Sequence, residues 1–256
     1  MLVINDTSVQ VCDATGDATK NKSRATKKSL LFITLIFLSV NTIAQHSFTI
    51  TFKNVVGNKV LNTDSIYTNQ FGETFSVRNF KYYVSNIVLH DSKNNKTQRC
   101  DEYFLINERD DTSKTIVLST MLQQIDSIEF LLGVDSVKNV SGVQTGSLDP
   151  ANGMFWTWNT GYVMAKLEGT SAAAKTPAHA FSYHIGGYKK DEDASKKISL
   201  AVAGENKIVI VADILKWFSG MHDIKIAEIS FCHEPGKLAM QFAGNYANMF
   251  SVEIVK

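Results

Sequence analysis

The side chains with chemistry to offer fall into two groups. The first is the stretch Met154-Phe155-Trp156-Thr157-Trp158-Asn159-Thr160-Gly161-Tyr162-Val163-Met164, and the second is a scatter of six histidines. In an extended strand successive side chains point to opposite sides. Met154, Trp156, Trp158, Tyr162 and Met164 are therefore expected on one face, with Phe155, Thr157, Asn159 and Val163 on the other. Oxidisable indoles beside a soft thioether are an unusual inventory for one surface. The plain alternative is that these are bulky core residues of a β-sheet protein.

Among the histidines, His184 lies in Phe181-Ser182-Tyr183-His184-Ile185-Gly186-Gly187. This is a strand pattern running into a glycine pair, where a ring can approach a ligand at a sheet edge. His233, in Phe231-Cys232-His233-Glu234-Pro235-Gly236, sits at a strand-to-turn transition. His179 and His222 are weaker candidates, and His90 reads as a strand-end surface residue. Soft sulfur and imidazole donors together select Cu(I), and a β-sheet protein can gather such ligands from distant strands without any local spacing. A structural role is the plain alternative for each histidine taken singly. No G-x-S-x-G elbow, Walker loop, H-E-x-x-H or C-x-x-C is present, so an enzyme is not expected. Glu168, Glu234 and Asp149 offer carboxylates for glycoside hydrolysis, but no spacing pairs them, and surface carboxylates account for them.

The elements that must position these residues are mostly strands. His46 to Phe52 alternates apolar with polar side chains and leads through Gly57-Asn58 into Lys59-Val60, which predicts a hairpin. Further strands are expected over Phe80 to His90, Tyr103 to Ile106, Ser127 to Val134, His179 to Ile185, Lys207 to Val211 and Phe250 to Val255. Gly204-Glu205-Asn206 is expected to close a hairpin before Lys207, and Asp149 to Gly153 to turn the chain into the tryptophan strand. Helical signal is local. Asp213 is an N-cap for one or two turns over 214 to 218, and short helices are expected between Gly236 and Met249. The long loops near 107 to 115 and 135 to 152 are places where function can sit. The fold class is all-β: an antiparallel β-sandwich with short helical insertions, in one domain over residues 45–256.

Residues 1–44 are set apart as leader and signal peptide. Lys27-Lys28 precede the apolar run Leu30 to Val40, and Thr42-Ile43-Ala44 ends on a small residue suited to a signal peptidase. The run is short of the ~20 residues of a membrane span, so an exported protein, periplasmic or at the cell surface, is expected with no stable span after cleavage. The whole chain carries 26 basic and 25 acidic side chains, and the part beyond residue 44 is also nearly neutral. That balance gives no reason to propose nucleic acid as a partner. With Cys12 in the leader, Cys100 and Cys232 remain as an even pair for one disulfide, or as buried thiols.

Several ordered blocks resemble the MbnP-like copper-binding family. They are Tyr67-Thr68-Asn69-Gln70-Phe71-Gly72-Glu73, Phe80-Lys81-Tyr82-Tyr83-Val84-Ser85-Asn86-Ile87, Gly153 to Tyr162 with Lys166 to Gly169, Tyr183 to Gly187, and Cys232 to Gly236 with Asn245 to Phe250. The resemblance implies a periplasmic or surface β-sandwich that binds copper, in some members through histidines together with a tryptophan oxidised to kynurenine. It also implies a dihaem peroxidase-like partner of the MauG type as the oxidising agent. Kynurenine supplies an amine and a carbonyl where the parent indole has no good donor atom. By position Trp156 is the first candidate for that modification and Trp158 the second, while His184 best fits the family's other ligand position. Copper-binding members place a histidine close to the modified tryptophan, whereas here its neighbours are Phe155, Thr157 and Trp158. Met154 or His233 are the candidates to replace it. The competing reading is a secreted binding module without metal, in which Trp156, Trp158 and Tyr162 form an aromatic platform for sugar rings or a partner protein.

Overall fold

The computed structural model describes residues 11–12, 45–158 and 161–253. Of the span read as leader and signal, all but residues 11–12 lies outside the described residues. The alternating pattern after Gln45 forms β1 (His46–Val56), in which Phe48, Ile50 and Phe52 point inward. Gly57, at φ +64°, takes the left-handed conformation the turn requires, and Lys59–Val60 folds back onto Val55 and Val56. The expected first hairpin is therefore present.

β2 (Thr74–Asp91) is the spine of the molecule. Its eighteen residues extend past the expected strand at both ends, and it carries the Tyr82-Tyr83-Val84-Ser85-Asn86 block. Both phenols are fully buried, and each finds a partner: Tyr82 Oη donates to Asn54 Oδ1 at 3.0 Å and Tyr83 Oη to the Ser147 carbonyl at 3.0 Å. Asn86, at φ +50°, forms a bulge between Ser85 and Ile87. Asparagine tolerates that conformation better than most residues.

The remaining main strands are β3 (Lys96–Asn107), β4 (Thr115–Thr120), β5 (Ser127–Leu132), β6 (Gly161–Ser171), β7 (Ala180–Gly186), β8 (Lys196–Ala201), β9 (Lys207–Asp213) and β10 (Phe250–Glu253). The larger sheet runs β8-β5-β2-β6-β7 and ends on the short strand Phe231–Cys232, with β3 also paired to β2. The smaller sheet runs β4-β1-β9-β10, with Val11–Cys12 parallel to β4 at its edge. Pairing is antiparallel except there, between β1 and β9, and between β7 and Phe231–Cys232. The all-β sandwich expected from the sequence is thus observed, with mixed rather than purely antiparallel sheets. The two sheets meet through edge-on aromatic contacts. Phe52 of the smaller sheet lies 6.0 Å from Tyr82 and 6.1 Å from Phe130 of the larger one.

Both expected helical insertions are present, and a further helix, α1 (Ser136–Val140), forms inside the segment expected as a long loop. Asp213 Oδ1 accepts from Leu215 N at 3.0 Å and caps the turn Ile214–Trp217, and α2 spans Lys237–Tyr246. Trp217 packs against Phe80, Phe242 and Tyr246. No helix among the described residues is long and apolar enough to cross a membrane.

Three expectations are corrected. Gly204-Glu205-Asn206 does not close a hairpin but carries the chain from β8 in the larger sheet to β9 in the smaller one. Local alternation is the same for a strand that turns back and for one that crosses over. The tryptophan segment is not one strand. Phe155–Trp156 and β6 form a tight hairpin in which Trp156 faces Gly161 and Phe155 faces Tyr162, so the Phe155 and Tyr162 rings share a face at 5.0 Å. Cys100 is disulfide-bonded, but Cys232 remains a free, buried thiol, so the Cys100–Cys232 bridge is not formed. Cys100 is registered with Ile87 on one side of β2, whereas Cys232 is registered with Tyr183 beyond β6 and β7. At nearly 5 Å per strand, that separation far exceeds disulfide reach.

Candidate functional site

The polar face of the larger sheet is built by register. β6 lies between β2 and β7, so Lys166 stands between Lys81 and His184, and Glu168 between Asn79 and Ser182. The parallel strand Phe231–Cys232 then delivers His233 beside His184. The two imidazoles stack at 4.2 Å with 20° between their planes. Both Nε2 atoms converge on Ser182 Oγ, at 3.1 Å for His184 and 2.8 Å for His233. Glu168 Oε1 lies 2.5 Å from His184 Nε2, while Glu168 Oε2 accepts from Asn79 Nδ2 at 2.9 Å.

The electrostatics follow from this packing. The hydrogen bond with His184 is the main reason the Glu168 carboxyl is held down to about 2; burial opposes it, and Asn79 and Lys166 add to it. Burial first, and then the neighbouring His184, lower the His233 imidazole, favouring the neutral form that can donate a lone pair to a metal. Burial also lowers Lys166 and Lys81. Their ammonium groups reach the carbonyls of Gly153 and Asn152 at 2.5 and 3.0 Å, which ties the polar face to the turn that starts the tryptophan hairpin.

That hairpin is held from behind by the 135 to 152 segment. Asn139, buried in α1 (Ser136–Val140), accepts from Tyr162 N at 2.8 Å and donates to the Val134 and Asp135 carbonyls. Tyr162 Oη donates to the Leu148 carbonyl at 2.9 Å. Trp156, 6 % exposed, lies over Gly186, where a Cβ would come within 2.8 Å of its ring. Trp158, 64 % exposed, tilts against it at 5.5 Å. The ring that approaches the glycine pair is thus an indole rather than the imidazole of His184. Gly187, at φ +125°, opens a closed loop in which Ala194 N returns to the Gly187 carbonyl at 3.1 Å.

The structure therefore brings the predicted site residues together in two adjoining groups. His184 and His233 form one. Trp156 and Trp158 form the other, bordering a cavity with Tyr188, Glu192 and Glu234. A second hollow joins the groups, since Trp158, His233 and Glu234 all line it. Met154 lies fully buried in the apolar core. Met164 is buried too, its sulfur accepting from Val134 N at 3.2 Å. His90 lies by Glu129, His179 against the Ala174 carbonyl and His222 at Asn245, all apart from this region. Sequence reasoning missed Ser182 and the pairing of Glu168 with His184. The signal was the two-residue spacing of Ser182 with His184 and of Lys166 with Glu168, which puts each pair on one face.

Among the described residues no group of three or more His, Cys, Asp or Glu side chains is arranged to hold a metal ion. The donor set on offer is the imidazole pair, with Ser182 and Glu168 beside it. Imidazole nitrogen suits copper, and the intact indoles add no good donor.

The MbnP family model matches residues 45–234. Among solved structures, MbnP from Methylosinus trichosporium is similar, with a TM-score of 0.54 at 14 % identity, over 68 % of this chain and 78 % of that one. At that identity the likeness concerns the fold. No curated protein matches the chain.

Proposed function

Because the chain belongs to the MbnP family, we propose that it is an exported, non-catalytic copper-binding protein whose site is built on His184 and His233. The observation that carries this reading is the stacked imidazole pair on the outer face of the larger sheet, with Trp158 in the same hollow as His233. Two nitrogens are too few for a closed site. Oxidation of Trp156 or Trp158 to kynurenine adds an amine and a carbonyl beside them, with a dihaem peroxidase-like protein of the MauG type as the partner that performs it. Met154 has no part, because it is enclosed in the core. Cleavage after Ala44 releases the protein beyond the cytoplasmic membrane.

The test is copper content and intact mass of the protein from its own host, alongside His184→Ala and His233→Ala. The expected result is about one copper per chain, lost in both variants while the fold survives, with added mass on a peptide containing Trp156 or Trp158. Unchanged copper in both variants would refute the assignment. A different reading, a binding module with an aromatic platform, is supported by the 64 % exposure of Trp158. It is favoured if neither copper nor added mass is found.

A further inference from the structure

The cavity beside the tryptophan hairpin has a ligand chemistry of its own, and its reading goes beyond copper. It measures about 260 Å³, a volume suited to a small head group rather than a drug-sized molecule. Three aromatic rings border it: Trp156, Trp158 and Tyr188. Trp156 and Trp158 meet at 40° rather than lying flat on each other, so their faces form a corner. Tyr188 closes on Gly161, where a Cβ would come within 3.3 Å of its ring. Gly161 faces Trp156 across the hairpin, and the missing side chain is what lets the third ring in.

Two carboxylates share the same lining, Glu192 and Glu234, with one ammonium, Lys189. Among the described residues neither carboxylate side chain has a hydrogen-bond or ion-pair partner, in contrast to Glu168, which is held by His184 and Asn79. The positions are built rather than incidental. Glu192 sits in the closed 187 to 194 loop, where its carbonyl lies 2.1 Å from the place a Cβ on Gly187 would occupy. Glu234 precedes Pro235 at the end of the strand that also delivers His233. Aromatic faces carry the negative pole of the ring quadrupole, and a cation placed over them is stabilised without needing a hydrogen bond. Carboxylates without a partner in the same lining add to that preference.

We propose that this cavity binds a small organic cation with a methylated ammonium head, such as a quaternary ammonium compound. Trp156, Trp158 and Tyr188 enclose the methyl groups, and Glu192 and Glu234 balance the charge. The Lys189 ammonium in the same lining opposes the ligand's charge. A neutral sugar would leave both carboxylates uncompensated, and a small metal ion would have to shed tightly held water to reach the rings, a cost a methylated ammonium does not carry.

The experiment is titration of purified protein, its intact mass confirming unoxidised indoles, with choline and with its neutral carbon isostere 3,3-dimethylbutan-1-ol. Binding is followed by tryptophan fluorescence and calorimetry. Choline is expected to bind at least about tenfold more tightly than the isostere. Trp158→Ala, at an exposed position, and the double variant Glu192→Gln/Glu234→Gln are each expected to weaken choline about tenfold or more, while Lys189→Ala leaves it equal or tighter. Equal binding of the two probes, no binding of choline, or full affinity in the glutamine variant overturns the proposal. His184→Ala is expected to lose copper and keep choline, and Glu192→Gln/Glu234→Gln to lose choline and keep copper, so either reading can fail alone.

Discussion

Replacing Gly186 by alanine tests how the tryptophan hairpin is seated on β7. An added Cβ would lie 2.7 Å from the Tyr162 carbonyl oxygen and 2.8 Å from Cη2 and Cζ3 of Trp156. Ordinary contact starts near 3.4 Å, so the shortfall is about 0.6 to 0.7 Å against two neighbours at once. The carbonyl belongs to β6, which is paired to Phe155 at Tyr162 itself and to β7 from Val163 onward, and cannot recede cheaply. Gly186 itself does not have a positive φ, so alanine adds no backbone strain and the effect is steric alone. The indole must move. Trp156 is 6 % exposed and braced against Trp158, which makes this an overpacked site with an expected cost of about 1–3 kcal/mol. Urea unfolding of Gly186→Ala and the parent at pH 7 gives that difference from the midpoint and slope, and native-state tryptophan emission reports the displaced ring. A variant within about 0.5 kcal/mol of the parent, with unchanged native emission, would show that the close approach is not as described.

Other consequences can be checked independently. Glu168 titrates at about 2 in the folded protein against an ordinary 4.5, so its contribution to stability is complete above pH 4.5 and disappears as pH falls toward 2. The displacement sets a ceiling of about 3 kcal/mol, and with 31 % of the side chain exposed, solvent screening reduces it to about 1–2 kcal/mol. Glu168→Gln should show that deficit in urea at pH 7, narrowing below pH 4.5; a gap independent of pH contradicts the assignment. Asp213 Oδ1 accepts from both Gly57 N at 2.8 Å and Leu215 N at 3.0 Å. Asp213→Ala should therefore lower thermal stability by about 1–2 kcal/mol. Burial pushes the Cys232 thiol up to about 11, and iodoacetamide at pH 8 should label it only after unfolding. Rapid native labelling, read by peptide mass, would place Cys232 at the surface instead.

The sequence by itself determined the architecture and much of the site's raw material. Period-two alternation in β1 and β9, the Gly57-Asn58 turn and the Asp213 cap are local codes, written within a few residues of one another, and the structure follows them. The ordered blocks marked the family, and the glycine pair at 186 and 187 marked a close approach of a ring. Register across the sheets was a different matter. Nothing near His184 says that Glu168 will stand diagonally opposite it on β6 or that a parallel strand fifty residues later will stack His233 on its ring. Met154 and Met164 look like soft donors in the sequence, yet the hairpin turns both inward. The tryptophan segment shows the limit most clearly. Alternation assigned Trp156, Trp158 and Tyr162 to one face, but pairing of Trp156 with Gly161 reversed the chain between them and left one indole buried and the other in solvent. Side-chain alternation is a property of one strand, whereas which strands become neighbours depends on burying all the inward faces together, and that is decided only when the two sheets close.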